Sequence, residues 1–498
     1  MTKSNKAYIA LFGFVLLAAA GLRLYHLTFS SLWSDELATW FDTWQPTFHD
    51  FWHTYTQLEM TPPLFFLAEF ATSRALEATE FAIRLPALVF GMGFVMATGL
   101  FAYELAGKHR AAGIIGVALA ATSYRAIYFS QEARAYSLMY FLAALSGSAW
   151  LRLKPQTARL RDSGAWLYAL TAIALAYTHY YGVVMAMAQG LTALFIAPLT
   201  RQRTLYWLKL YLLISLAYLP WVYFLIHQPM PDASMIQNAP PFNEIFVAHR
   251  ELFGSSAVNS LLALLLGVVA IFLTPRRRAA VAAMAWVFLP FIIVWLISQY
   301  HPIYAIRYYM VALAPALAAS AVGAYELKRS GRELCVFATI LFCALGLYET
   351  IIARQTYVSQ KGPQVREVTA ASFEFLQAHP KAAFVVIALP IFMENYYLER
   401  MHSPRGYDLC FASGPLARFD KNKPPLPFDI CSKNGPFAQF TNWSSLASDA
   451  QTVVMTAYTE SNADIDGLYK SGLPPGYHVV ERRDFYQSTA AVLERDHL

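Results

Sequence analysis

The sequence predicts a polytopic all-α membrane protein that carries a small C-terminal α/β domain. The chain has 498 residues, of which 57% are hydrophobic and only 14% are charged. Ordinary globular chains are about one-quarter charged. The 35 Phe, 30 Tyr and 11 Trp are residues of the kind that form interfacial belts. This composition excludes disordered, collagenous and disulfide-scaffold proteins. The net charge of +6 does not indicate a nucleic-acid partner, because membrane proteins collect Lys and Arg in cytoplasmic loops.

Eleven apolar runs are long enough to cross a bilayer, which requires roughly 20 helical residues. They lie near 7–27, 83–105, 111–129, 134–151, 164–178, 181–199, 205–226, 258–274, 279–299, 306–326 and 333–353. The first run has a basic flank but no small-residue cleavage site, so we expect an uncleaved anchor. A further apolar segment, 64–76, is short and contains Glu69 and Arg74. We expect it to be an interfacial or re-entrant helix.

The placement of basic residues predicts the orientation of these spans. If the N-terminus is cytoplasmic and 64–76 does not cross, seventeen Lys and Arg residues of 1–353 fall in loops on the inside and seven at outer loops and span ends, as the positive-inside rule requires. If 64–76 did cross, every later loop would change sides and the rule would be broken throughout. We therefore expect a cytoplasmic N-terminus and long loops on the outer face.

Two domains follow from this orientation. Residues 1–353 form the transmembrane domain, with 28–82 as a first outer loop that holds juxtamembrane helices. Residues 354–498 form an outer domain whose lower hydropathy and alternating patterns predict a small α/β fold. Cys410 and Cys431 of this domain would lie in an oxidising compartment, where a disulfide between them is an open alternative.

Acidic side chains form two clusters at the predicted outer ends of the spans. Asp35 and Glu36 follow the first span in a Trp-rich loop, where they could hold a divalent cation or supply a base. The same residues also suit the first turn of a helix. Glu59 precedes Pro62 and Pro63, which favour helix initiation and leave the Glu59 carboxylate available as a ligand.

Basic side chains occupy three further outer span ends. Arg134 belongs to the motif Ser-Gln-Glu-Ala-Arg-Ala-Tyr at 130–136, and an Arg at this depth indicates either an anion partner or snorkelling to lipid headgroups. His179 and Arg307 lie in Tyr-rich motifs that an aromatic belt explains only in part. Together, the carboxylates, two arginines and one histidine indicate an outer pocket for a phosphate whose hydrocarbon tail remains in the lipid. This chemistry fits transfer of a group from a lipid-linked phosphate.

The order of the motifs resembles bacterial glycosyltransferases of the family 39 type, which belong to the GT-C superfamily with protein O-mannosyltransferases and the lipid A aminoarabinose transferase. The resemblance spans about 1–326 and is strongest over 31–182. It rests on Asp-Glu after the first span, Pro-Pro-Leu at 62–64, Phe-Ala-Ile-Arg-Leu-Pro at 81–86, the motif at 130–136, Thr-His-Tyr-Tyr-Gly at 178–182, and Arg-Tyr at 307–308 with Pro315.

The resemblance implies a GT-C-like fold and an inverting, metal-assisted or metal-independent sugar transfer from a polyprenyl-phosphate donor. The site would face the periplasm of a bacterial inner membrane, and the acceptor would be lipopolysaccharide, lipid A, another envelope glycan or a protein. Asp35 is implied to be the general base, with Glu36 orienting it or helping to hold a cation. The implied donor-phosphate contacts are Arg134, Arg307, Tyr136 and Tyr308, and the implied metal or phosphate contacts are Glu59, Glu132 and His179. Thr61 stands where the commoner motif has His, so we expect no histidine ligand there.

Two other functions compete with this one. A multi-span transporter of a lipid-linked or small polar solute would also place charges near spans, but carriers tend to show inverted repeats and broken helices at mid-bilayer. An anchor for a sensory or binding tail would not require eleven spans.

Overall fold

The computed structural model describes residues 3–155, 163–198, 200–227, 240–301, 303–380, 382–387, 396–397, 400, 409–412, 439–440, 451–458, 462–471 and 476–496. The chain divides into two compact units, one formed by Met1–Leu27 and Asp42–Tyr357 and the other by Thr28–Phe41 and Val358–Leu498. The first unit is helical and the second contains a β-sheet. The predicted division into residues 1–353 and 354–498 stays a prediction.

Helices make up most of the described chain. The α-helices are α1 (Lys3–Leu24), α2 (Ser34–Thr43), α3 (Phe48–Leu58), α4 (Leu64–Ser73), α5 (Glu80–Leu105), α6 (Arg110–Thr122), α7 (Tyr124–Ser130), α8 (Tyr136–Trp150), α9 (Ser163–Ala176), α10 (Tyr180–Phe195), α11 (Arg201–His227), α12 (Glu244–Glu251), α13 (Ala257–Leu273), α14 (Arg277–Ser298), α15 (Leu313–Glu326), α16 (Arg332–Tyr348), α17 (Val365–Ala378) and α18 (Asn462–Ser471). Short 3-10 turns cover Tyr308–Ala312 and Leu327–Arg329, and a π-helical turn covers Glu349–Ala353.

Within the described residues, six helices are long and apolar enough to cross a membrane. They are Lys6–Leu24, Glu80–Leu105, Arg201–His227, Arg277–Ser298, Tyr308–Arg329 and Arg332–Ala353. Helices α6 and α7 would form a seventh span, but a bend of 62° separates them. Helices α4, α9, α10 and α13 are apolar but shorter. These helices are typical of a multi-pass membrane protein, whereas the number of eleven spans stays a prediction.

The third predicted span differs from expectation because it is broken at Ser123, whose backbone is extended. A helix end leaves its last carbonyls without helical partners. The fully buried Arg23 of α1 compensates by donating to the carbonyl oxygens of Ala120 and Ala121, both at 3.1 Å, and to Ser130 Oγ at 3.2 Å. The bend is therefore stabilised by a side chain about 100 residues away in sequence.

Helix α15 lies at the centre of the first unit, since every residue from Leu313 to Glu326 is buried. Small residues allow its neighbours to approach closely. A Cβ atom on Gly323 would lie only 1.9 Å from the carbonyl oxygen of Leu266 on α13. Such small-residue contacts are the usual means by which membrane helices pack. The segment from Arg307 to Ala312 directly precedes α15 and carries residues of the candidate active site described below.

The second unit contains the predicted C-terminal α/β elements. Its strands are β1 (Ala383–Ile387), β2 (Leu409–Ala412), β3 (Gln439–Phe440), β4 (Thr452–Tyr458), β5 (Tyr477–Phe485) and β6 (Ser488–Arg495). They form one sheet in the order β3-β2-β1-β4-β6-β5, parallel from β3 to β4 and antiparallel from β4 to β5. Helix α17 packs on the sheet, where the hydroxyls of Ser372 and Thr456 lie 2.5 Å apart. The small C-terminal sheet is thus confirmed.

The cysteines are only partly covered by the structure. Cys335 and Cys343 of α16 are free thiols and partly buried. Cys431 lies outside the described residues, so its predicted pairing with Cys410 stays a prediction.

Candidate active site

The first feature of the site is an ion pair between two of the predicted residues. Arg134 Nη1 lies 2.9 Å from Glu59 Oε2, and both side chains are mostly buried. The Arg134 guanidinium also lies over the ring of Phe66, 5.6 Å from its centroid. Burial disfavours the charged form of Glu59, but the charge of Arg134 and the hydrogen bonds at Thr61 hold the pKa of Glu59 below its usual range. The carboxylate is therefore ionised at neutral pH.

The chain that carries Glu59 is fixed by hydrogen bonds. Glu59 Oε1 accepts the backbone N–H groups of Met60 at 3.0 Å and Thr61 at 2.9 Å. The Tyr55 hydroxyl donates to the carbonyl oxygen of Thr61, and the Tyr180 hydroxyl donates to that of Met60. Every backbone polar group of these two residues has a partner. The two tyrosines thus hold the loop in place, a role that sequence patterns do not reveal.

The segment that carries Arg134 is attached to the end of α1. The Gln131 side chain donates from Nε2 to the carbonyl oxygens of Arg23 at 3.0 Å and Tyr25 at 2.9 Å. The Arg134 N–H donates to the carbonyl oxygen of the buried Glu132 at 2.7 Å. These contacts explain the polar residues of the motif at 130–136. They position Arg134 and leave the predicted contact of Glu132 with a ligand untested.

His179 begins α10 as its N-cap residue. Its Nδ1 accepts the backbone N–H of Tyr181 at 3.2 Å, so the proton of the neutral ring lies on Nε2. Burial and the positive charge of Arg134 lower the pKa of His179 to about 3, with Arg307 acting in the same direction and Glu59 opposing. The imidazole is therefore a neutral hydrogen-bond donor at physiological pH.

Tyr308 lies among the aromatic side chains of the site. Its ring centroid is 4.6 Å from that of His179, 5.5 Å from that of Tyr181 and 6.4 Å from that of Tyr136. The guanidinium of Arg307 lies over the same ring, 5.3 Å from the centroid, and the Arg307 residue is exposed. The aromatic faces provide an apolar wall beside a positive charge.

Asp42 is a site residue that the sequence analysis missed. Its exposed fraction is only 2%. Burial and the negative charge of Glu59 raise the pKa of Asp42 well above its usual range, although Arg134 opposes the shift. The position of Asp42 inside the aromatic stretch Trp40–Trp44 could have indicated its burial. Its proximity to Glu59 depends on the tertiary fold and cannot be predicted from the sequence.

Asp35 and Glu36 belong to the second unit, where they form the first turn of α2. Glu36 is fully buried, and the Thr39 hydroxyl donates to the carbonyl oxygen of Asp35 at 3.1 Å. Both residues occupy the helix-start position that the sequence left as an alternative. Their catalytic roles stay predictions.

A metal ion requires several ligands that converge on one point. Among the described residues, no group of three or more His, Cys, Asp and Glu side chains is arranged to hold a metal. Glu59 is bound by Arg134 and by two backbone amides, and His179 uses Nδ1 to accept an amide hydrogen bond. The predicted cation contacts at Glu59, Glu132 and His179 stay predictions.

These residues can together bind an anion beside an apolar group. Arg307 offers a positive charge next to aromatic rings, the neutral His179 offers a donor, and Arg134 adds a second positive charge close to His179. The structure brings together Glu59, Arg134, Tyr136, His179, Arg307 and Tyr308 from the predicted set.

Comparison with known proteins identifies the fold. No family model matches the chain, and no curated protein sequence matches it. Two solved structures of ArnT from Cupriavidus metallidurans match over nearly the full length at 12% identity. The apo structure has a TM-score of 0.61 and covers 99% of this chain and 98% of ArnT, and the structure bound to undecaprenyl phosphate has a TM-score of 0.62 and covers 98% of each. The chain therefore has the ArnT-like GT-C fold that the motif order implied.

A more distant match is the arabinofuranosyltransferase AftD from Mycobacteria. It is 14% identical, covers 78% of this chain and 30% of AftD, and has a TM-score of 0.48. This score is too low to establish a common fold.

Proposed function

We propose that this chain transfers a sugar from a polyprenyl-phosphate donor to an acceptor in the bacterial cell envelope, such as lipopolysaccharide, another glycan or a protein. The supporting observation is the cluster of Arg134, His179, Arg307 and Tyr308 in a fold that ArnT also has. ArnT has been solved with undecaprenyl phosphate bound. We assign the reaction to the periplasmic face of the inner membrane, as the positive-inside distribution predicts.

The donor phosphate would be bound by the arginines. Arg307 supplies a positive charge on an exposed side chain, and Arg134 supplies a second one beside the buried Glu59 carboxylate. His179 would donate from Nε2 to a phosphate oxygen. The rings of Tyr136 and Tyr308 would contact the apolar part of the donor next to the phosphate.

The transfer itself needs one base and one stabilised leaving group. The acceptor hydroxyl attacks the anomeric carbon, and its proton passes to the Asp35 carboxylate, which Glu36 orients. The bond between the anomeric carbon and the phosphate oxygen breaks, and both electrons remain on the polyprenyl phosphate. Arg134 and Arg307 stabilise this developing charge, an effect typically worth several kcal/mol. No step is assigned to a divalent cation, whose participation is tested by chelation.

Mass spectrometry of envelope glycolipids and glycoproteins tests this proposal. Cells with and without the chain should differ by one sugar mass on one acceptor class. Asp35→Asn should abolish that mass while the protein level stays unchanged, and Glu77→Gln, an exposed carboxylate in the same loop, should have no effect. Full transfer by Asp35→Asn would refute the base assignment. Accumulation of a solute in proteoliposomes without any covalent product would instead establish the transporter alternative.

A further inference from the structure

A groove lies on the surface of the first unit, far from the candidate active site. It has a volume of about 580 Å³ and is lined by α1, α5 and α6. Tyr8 lines it near the start of α1, whereas Arg23, which contacts the motif at 130–136, lies near the other end of that helix. At 1.5 Å per residue, these two positions are about 22 Å apart. The groove is therefore separate from the pocket proposed for the donor.

Close packing of two helices forms the floor of the groove. A Cβ atom on Gly99 of α5 would lie 2.9 Å from the carbonyl oxygen of Gly113 and 2.4 Å from a methyl carbon of Val117, both on α6. Only a residue without a side chain permits this approach. Because the glycines add no side-chain bulk, the surface above them remains recessed between the larger side chains on either side.

The walls of the groove are apolar and exposed. Ile9 is 59% exposed, Phe12 37% and Met96 48%. All three belong to helices that are long and apolar enough to cross a membrane, so this surface faces the hydrocarbon of the bilayer. The hydrocarbon of the bilayer consists of acyl chains, so we expect an acyl chain to fill this recessed apolar groove.

One end of the groove is polar and positively charged. Arg110 is the first residue of α6 and lines the groove with the tyrosines Tyr8 and Tyr103. A helix N-terminus adds partial positive charge to that of the guanidinium. Arg276 lies at the same end, because it donates to the carbonyl oxygen of Glu104 beside Tyr103. This end complements an anionic headgroup.

We propose that the groove binds an anionic phospholipid, with one acyl chain between α1, α5 and α6 and the phosphate at Arg110. Met96 and Tyr103 lie about 10 Å apart along α5, so the groove takes the part of one acyl chain nearest the headgroup, beside the positive charge. This site is distinct from the donor site in both position and ligand. The proposal does not depend on the identity of the sugar or of the acceptor.

Native mass spectrometry of the purified full-length protein tests this proposal. The protein is titrated with phosphatidylglycerol and, separately, with zwitterionic phosphatidylcholine of the same acyl chains. We expect one phosphatidylglycerol to be retained preferentially. Arg110→Gln should weaken its apparent affinity about fivefold, as expected for loss of one basic contact at a membrane surface. Arg332→Gln is the matched control, because Arg332 is also an exposed first residue of a helix and lies outside the groove.

A second variant tests the acyl-chain part of the groove. Met96→Trp should fill the groove and remove the retained lipid, whereas Leu212→Trp, at a similarly exposed position on α11, should not. Undecaprenyl phosphate binding should be unchanged in Arg110→Gln, which separates this proposal from the proposed function. Equal retention of both phospholipids, or wild-type retention by both groove variants, would overturn it.

Discussion

At the scale of single residues, the two arginines of the site differ in their exposure to solvent. Arg134 is paired with Glu59 at 2.9 Å, while Arg307 lies over the ring of Tyr308 and is exposed. An incoming phosphate is therefore expected to depend most strongly on Arg307. Arg134 keeps Glu59 ionised and can add a second contact once the phosphate is bound.

Asp42 provides a pH-dependent test of this electrostatic arrangement. Burial and the charge of Glu59 raise the pKa of Asp42 in the folded protein above its value in the unfolded chain. Folding therefore favours the protonated form, and the free energy of unfolding falls as the pH rises from the usual Asp range through the raised pKa. Asp42→Asn removes this loss, so it should stabilise the protein at pH 7.5 by about 1–3 kcal/mol.

Thermal unfolding from pH 4 to pH 9, followed by Trp fluorescence, measures the effect. The difference between Asp42→Asn and the wild type should shrink toward pH 4, where the carboxyl becomes protonated in the unfolded chain as well. Glu77→Gln, which removes an exposed carboxylate, is the control. A stability difference that is independent of pH would show that Asp42 is ionised in the folded protein.

At the scale of elements, the sequence predicted the helical fold and the C-terminal sheet because both depend on local patterns. Helix α17 and strand β4 both lie in the region 354–498, whose alternating patterns predicted a small α/β fold. The bend between α6 and α7 could not be predicted, because it depends on the distant Arg23. An apolar run alone does not show where a helix breaks.

The site was predicted unevenly for the same reason. The sequence singled out Arg134, His179 and Arg307 because charged or polar side chains at span ends require a partner. The pairing of Arg134 with Glu59 joins positions 75 residues apart, and only the tertiary fold sets it. Tyr55 and Tyr180 were missed because a tyrosine that holds a backbone carbonyl is indistinguishable in sequence from a tyrosine of an interfacial belt.

Removal of the hydroxyls of Tyr55 and Tyr180 tests whether these groups hold the Glu59 loop in place. Tyr55→Phe or Tyr180→Phe leaves one carbonyl of the Glu59 loop without its donor, which costs about 1 kcal/mol. Each change should weaken undecaprenyl phosphate binding roughly fivefold, since 1.4 kcal/mol corresponds to a factor of ten. Tyr223→Phe is the control because Tyr223 is 61% exposed. If the two variants lower the melting temperature but keep wild-type affinity, the tyrosines stabilise the fold without positioning the site.

At the scale of the whole molecule, the proposed reaction requires a particular orientation in the membrane. Alkaline phosphatase is active only outside the cytoplasm, so a fusion after residue 360 should be active. A fusion after residue 330, which follows the basic residues Lys328 and Arg329, should be inactive. The opposite pattern would place the proposed donor site in the cytoplasm and contradict the reaction assigned to it.

If this fold holds a polyprenyl phosphate through Arg307, the dissociation constant of undecaprenyl phosphate depends on that side chain. Arg307→Gln is the most informative variant, because Arg134→Gln would also remove the ion pair of the buried Glu59 carboxylate. Loss of a charge-assisted hydrogen bond costs about 1.5–3 kcal/mol, so we expect Arg307→Gln to bind at least about tenfold more weakly. Arg332→Gln should bind as the wild type does. Equal affinity of Arg307→Gln and the wild type would contradict the account.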